Sequence, residues 1–133
     1  MNQVAKLVII DADERYLMLH RDNHPAYGDD PDLPGGTIEE GELPLETMIR
    51  EAYEEAQVII REDQAVQVYD GIDRSTQKTH HTLYMARLNK RPIIILSWEH
   101  SSYEWLDRED FLEKAKSAND SYMHMVYTAL IRI

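Results

Sequence analysis

The chain contains no cysteine. Disulfides, thiolate zinc sites and cysteine nucleophiles are thereby excluded, and nothing requires an oxidising compartment. A long hydrophobic run is missing too: the N-terminal apolar stretch, residues 4–10, gives way to acidic residues too soon for a secretory h-region or a membrane span. A cytoplasmic protein with no membrane partner is the expectation. Positive charge is scarce as well. Against 25 Asp and Glu there are 14 Lys and Arg, a formal net charge of -11, which argues against long nucleic acid because phosphate-backbone contacts need a basic surface. A small phosphorylated ligand is a different case, since a few local cations and a bound metal ion can meet its charge even on an acidic protein. Neither repeats nor low-complexity segments are evident, and 133 residues suffice for one domain, 1–133, around a single core.

What the chain does have is concentrated in residues 35–58, GGTIEEGELPLETMIREAYEEAQV. The second half predicts an amphipathic helix. At about 100° per residue, Leu45, Met48, Ile49, Ala52 and Ala56 share one face, while Glu51, Glu54 and Glu55 crowd an adjoining arc. Like charges at that spacing repel by a few tenths of a kcal/mol per pair unless something positive lies between them. Arg50 neutralises one of them; the others read as oxygen ligands for a hard divalent cation, which would turn repulsion into binding energy. The preceding turn, Leu33-Pro34-Gly35-Gly36, supports this, because glycines let backbone approach an ion closely. A metal site made of one loop and one helix is therefore expected.

The pattern G-x5-E-x7-R-E-U-x-E-E-x-G-U, with U apolar, is the Nudix box, and these residues resemble it at Gly36, Glu42, Arg50, Glu51, Ala52, Glu54, Glu55 and Val58. Every charged position matches. The departure is Gln57, where the family has glycine; a left-handed helix-ending residue is expected there, at a cost of about 1 kcal/mol or a shifted helix end. The resemblance implies a Nudix α/β/α sandwich, a mixed sheet between helices, with the box as loop-helix-loop. Periodicity alone indicates only a mixed α and β domain.

The resemblance also implies roles. Glu51, Glu54 and Glu55 would bind Mg²⁺ or Mn²⁺ with the Gly35 carbonyl as an extra ligand, and Arg50 would hold the glutamates in place. Glu42 would support the loop or bind a further ion at one remove. Nudix proteins often take another glutamate from a distant loop before a tryptophan-containing strand. Glu99 and Glu104 compete for that place, and Glu99 is preferred because it lies six residues before Trp105 and off the strand. Glu51, Glu55 and Glu99 are all candidates for the general base. The implied reaction is hydrolysis of a nucleoside diphosphate linked to another group, foremost a (d)NTP giving a monophosphate and pyrophosphate. Cleavage of ADP-ribose, nucleotide sugars or dinucleoside polyphosphates is the second reading, and a noncatalytic nucleotide-binding module the third. A homodimer is common in the family, though no residue here specifies one.

The remaining chain supplies the frame. Residues 4–10 and 16–20 predict strands forming a hairpin through an acidic turn at 11–14. The polar stretch 21–31 predicts a surface loop, with Arg21, His24 and Tyr27 as candidates to touch substrate. Residues 65–73 and 79–88 alternate as paired strands around a polar turn at 74–78, and residues 93–96 predict a buried strand. Adjacent His80 and His81 point to opposite faces of a strand, which favours cross-strand packing over a shared zinc ion. Residues 107–117 begin with a good N-cap and predict a helix, as do residues 122–133 with Met123, Val126, Tyr127, Leu130 and Ile131 on one face. Met123 and Met125 read as core. Residues 118–120 resemble the segment where MutT-type enzymes place an asparagine that reads an oxidised guanine such as that of 8-oxo-dGTP. Asn119 is thus a base-reading candidate, with a helix N-cap as the plainer alternative.

Overall fold

Strand β1 (Gln3–Ile10) is the axis of the structure. It pairs along its length in parallel with β6 (Thr79–Arg87), antiparallel through Val4, Ala5 and Lys6 with β4 (Gly35–Thr37), and at Ile10↔Tyr16 with β2 (Tyr16–His20). The sheet runs β3 (Pro31–Asp32), β2, β1, β6, β5 (Ala65–Asp73), with β7 (Ser102–Leu106) added to β2. The computed structural model describes residues 1–21, 31–73 and 78–133.

Both faces of this mixed sheet are covered, which is why β1 is apolar from Val4 to Ile10 apart from Lys6. Its side chains alternate between two cores. Val8 and Ile10 pack with Tyr16, Met18 and Leu83 against α2 (Arg108–Ser117) and α3 (Ser121–Leu130), where Phe111, Met123, Val126 and Leu130 are buried. Leu7 and Ile9 face the other way, with Leu17, Leu19 and Tyr84, onto Met48, Ala52 and Ala56 of α1 (Pro44–Ala56). Three helices on two sides of a mixed sheet make the α/β/α sandwich expected from the box.

Local chemistry sets the helix ends. Pro44 opens α1, the Leu43 N–H donates to Glu46 at 2.8 Å, and Gln57 ends it in the left-handed conformation, φ 55°, with its N–H bonded to the Tyr53 carbonyl at 2.9 Å. The helix end is thus where a glycine would put it, with the strain of a non-glycine residue. Asp107 caps α2 by accepting from the Asp110 N–H, and Asp120 caps α3 by accepting from the Tyr122 N–H. The N-cap at the α2–α3 junction is therefore Asp120, not Asn119. Helix α3 stops at Leu130, and Ile131 is 51 % exposed and off the buried face. Met123 is in the core and Met125 packs against it.

Residues 93–96 are not a strand. Ile94 is buried, but Ile93 and Ile95 are exposed, and the segment begins a strap, residues 93–101, whose Ile95 and Ser97 N–H groups donate to the carbonyls of Ala56 and Glu55 at 3.2 and 3.0 Å. Those carbonyls close a helix and lack intrahelical partners, so the strap caps α1 instead of joining the sheet. Among the described residues no helix is long and apolar enough to cross a membrane.

Candidate active site

Strand β4, with the turn that leads into it, lies between β1 and α1, and its two glycines make that contact possible. A Cβ on Gly35, whose φ is +147°, would fall 2.3 Å from the Ala5 carbonyl; one on Gly36 would fall 2.7 Å from Glu51 Oε1. The glutamate of the helix thus lies directly against the loop. Glu55, one turn on, is 2 % exposed and its Oε1 accepts from the Gly35 N–H at 2.7 Å. Burial pushes the Glu55 carboxyl up to about 8, outweighing the Gly35 N–H and Lys6, with Asp32 and Glu99 adding repulsion. Glu51 is also raised, by burial first and by Glu54 and Glu99 against the opposing pull of Arg50.

Arg50 gathers the outer carboxylates. Its guanidinium forks onto Glu42, Nε to Oε2 at 2.7 Å and Nη2 to Oε1 at 3.0 Å, while Nη1 donates to Glu51 and Glu54 at 3.1 Å each. Its hydrogen bonds, with one from Thr47, hold Glu42 down to about 2. Glu55, by contrast, takes its position from Gly35. Glu54 is exposed. Among the described residues no three acidic or histidine side chains converge as a ready metal cage. The donor chemistry nevertheless suits a hard cation: Glu51 and Glu55 are acidic groups whose charged forms are disfavoured by burial and by neighbouring carboxylates, and the glycine cradle leaves no side chain between loop and helix. Seating an ion would require Glu51 and Glu54 to turn from Arg50.

A cavity of about 780 Å³ opens beside this cluster. Gly35, Gly36, Glu51 and Glu99 line it, together with the cations Lys6 and Arg21 and, from other elements, His81, Asp120, Ser121 and Tyr122. Glu99 therefore reaches the cluster. Glu104, its competitor, is on β7, hydrogen-bonded to His20 at 2.5 Å and ion-paired with Lys114 at 2.7 Å. Asn119 is exposed and is not among the lining residues, although the next three residues are. His24 and Tyr27 lie outside the described residues. His80 pairs with Asp70, whereas His81 is buried against the Tyr122 ring, centroids 4.9 Å apart, so the two histidines do face apart.

Sequence reading missed a buried ionic group beneath the cavity. Asp32, 4 % exposed, accepts from Lys6 at 2.5 Å, from Arg21 at 2.8 Å and from His100 at 2.9 Å. Burial opposes its charge, but Lys6, His100 and Arg21 together hold it far below the usual carboxylate range. Only one local signal pointed there, a lysine inside an otherwise apolar strand.

Comparison with known proteins agrees with this fold. The NUDIX domain model matches residues 1–126. The fold is similar to a MutT protein from Methanosarcina mazei (20% identity, 98% of this chain and 93% of that one, TM-score 0.77). It is similar as well to a C. elegans Ap4A hydrolase (24%, 99% and 98%, TM-score 0.71) and to the E. coli dihydroneopterin triphosphate pyrophosphohydrolase (21%, 94% and 91%, TM-score 0.70). A search of curated proteins found no match. With the box residues brought together on one loop and one helix, and the family's model matched across nearly the whole sequence, this chain belongs to the Nudix family of hydrolases.

Proposed function

We propose that the protein is a metal-dependent (d)NTP pyrophosphohydrolase, releasing a nucleoside monophosphate and pyrophosphate. The observation that carries this reading is the meeting of two opposite charge sets in one cavity: Glu51 and Glu99 beside the glycine loop, and Lys6 with Arg21. The carboxylates suit a divalent cation and the cations suit phosphate oxygens. The names of the M. mazei MutT protein and the E. coli triphosphate pyrophosphohydrolase point the same way.

In this reading Glu51, Glu54, Glu55 and the Gly35 carbonyl hold Mg²⁺ or Mn²⁺. The chemistry such an ion supplies when bound is neutralisation of the diphosphate and acidification of water. The chain's own residues do the rest. Arg50 steers the outer glutamates while it keeps Glu42 against the loop. Lys6 and Arg21, fixed by Asp32, orient phosphate oxygens without a rearrangement on binding. Glu99, exposed on the strap, accepts the proton of the attacking water. Asn119, beside the lining residues 120–122, and Tyr27 are the base contacts proposed from the sequence, with oxidised guanine as the base to test.

The test is product analysis with Mg²⁺ over canonical and oxidised (d)NTPs, ADP-ribose, nucleotide sugars and dinucleoside polyphosphates, with Glu55→Gln as control. Pyrophosphate released selectively from triphosphates, and lost in the control, is the expected result. Cleavage confined to another group would move the substrate, and binding without turnover would reject hydrolysis.

A further inference from the structure

The strap carries, next to Glu99, a histidine for which the chemistry above has no use. His100 is 4 % exposed, and its Nε2 lies 2.9 Å from Asp32 Oδ2. Since Lys6 and Arg21 keep Asp32 ionised, that oxygen accepts and the His100 Nε2–H donates. The other ring nitrogen, Nδ1, is buried with no hydrogen-bond partner among the described residues and faces Glu55 Oε2 at 3.6 Å. An imidazole with an idle buried nitrogen is disfavoured relative to an apolar side chain of the same shape, so its position calls for a role.

The strap's own bonding indicates that role. Ser97 is tied to the end of α1 and Ser101 to the His20 carbonyl, at 3.0 and 2.9 Å. Among the described residues the turn between them has only long bonds of its own, His100 N–H to the Ser97 carbonyl and Glu99 N–H to Ser97 Oγ, both 3.4 Å. The firm anchor of the turn that presents Glu99 is therefore the His100 side chain. On the reading of the site given above, we infer that His100 is a positioning residue: pinned to Asp32 through Nε2, it holds Glu99 beside Glu51. Asp32 thereby links both sides of the cavity, bonding Lys6 and Arg21 on one hand and the strap on the other.

The test compares His100→Ala, His100→Gln and His100→Asn with the wild type, assayed on the four dNTPs with Mg²⁺ well below each melting temperature. The glutamine amide can take the place of Nε2 and donate to Asp32, whereas the asparagine amide reaches only the place of Nδ1. Ala and Asn should lower kcat by about ten- to a hundredfold with KM changed by no more than about threefold, and Gln should recover most of the loss. If Ala does not fold, the Gln and Asn pair carries the comparison. An unchanged kcat in Asn, equal losses in Gln and Asn, or a change in KM alone would overturn the inference. If the wild type turns over no nucleotide, the hydrolytic reading fails separately, and amide exchange decides for His100. Faster exchange at Gly35 and Ser97 in Asn but not in Gln would support the anchor; equal rates would remove it.

Discussion

The backbone N–H of Gly35 donates to Glu55 Oε1 across 2.7 Å, fastening the glycine turn to the last glutamate of the box helix. One bond thereby fixes the distance between the two halves of the site. It also takes up one of the few donors available to a carboxylate that is 2 % exposed.

That burial makes stability depend on pH. Glu55 is pushed up to about 8 from an ordinary 4.5, so between those values the folded protein holds a proton that the unfolded chain has released. Stability should then fall as pH rises through this window, by at most about 1.4 kcal/mol for each pH unit crossed. Glu51, also raised, acts in the same sense, while His81, lowered by burial, opposes it below the ordinary histidine value of 6.5. In EDTA the melting temperature should drop from pH 5 to pH 8, and Glu55→Gln should flatten that slope. A slope unchanged by the substitution would place the proton elsewhere.

Glu54→Gln and Glu55→Gln each remove one carboxylate charge from the proposed ion site. Turnover should fall by orders of magnitude with circular dichroism unchanged, because Glu54 is exposed and, in Glu55→Gln, the new amide oxygen can still accept from Gly35. Full activity in either variant would reject this donor set.

The two loop glycines should fail differently. Gly36→Ala sets a methyl group 2.7 Å from Glu51 Oε1, which a side chain can relieve by swinging away. Activity should be lost with little change in melting temperature. Gly35→Ala meets the Ala5 backbone carbonyl at 2.3 Å with φ at +147°, and neither can yield cheaply. Here the fold itself should suffer, by several kcal/mol. Thermal melts beside activity assays separate the two.

At the end of α1 the family's glycine is replaced by Gln57 in the left-handed region, φ 55°. Gln57→Gly should remove that strain and stabilise the protein by about 1 kcal/mol, a rise of a few degrees in melting temperature. No change in activity is expected. A lower melting temperature would mean that the unfolded chain's gain in freedom outweighs the relief.

Much of the fold and part of the site was legible in the sequence, and each success has a local cause. The apolar period of residues 45–56 identified the packing face of α1, and the box spacing put Arg50 within one turn of Glu51 and Glu54. The largely apolar character of β1 implied burial, though not that its two faces would meet different helices. Residues 93–96 show the limit. An isoleucine run carries no periodicity that distinguishes a sheet strand from a strap, and the choice fell to the unpaired carbonyls of Glu55 and Ala56, which took its N–H groups.

What the sequence determined by itself is therefore what short-range spacing carries: the box, its helix, the left-handed residue after it and the row of acids along that helix. The tertiary structure alone decided which of those acids is buried and what surrounds it. Asp32 is 26 positions from Lys6 and 68 from His100 along the chain, and no local period relates them. They meet because Asp32 ends β3 just before the chain crosses to β1, where the Leu7 N–H donates to the Pro34 carbonyl, and because a charge as deeply buried as Asp32 is stable only where several donors from distant segments reach it at once.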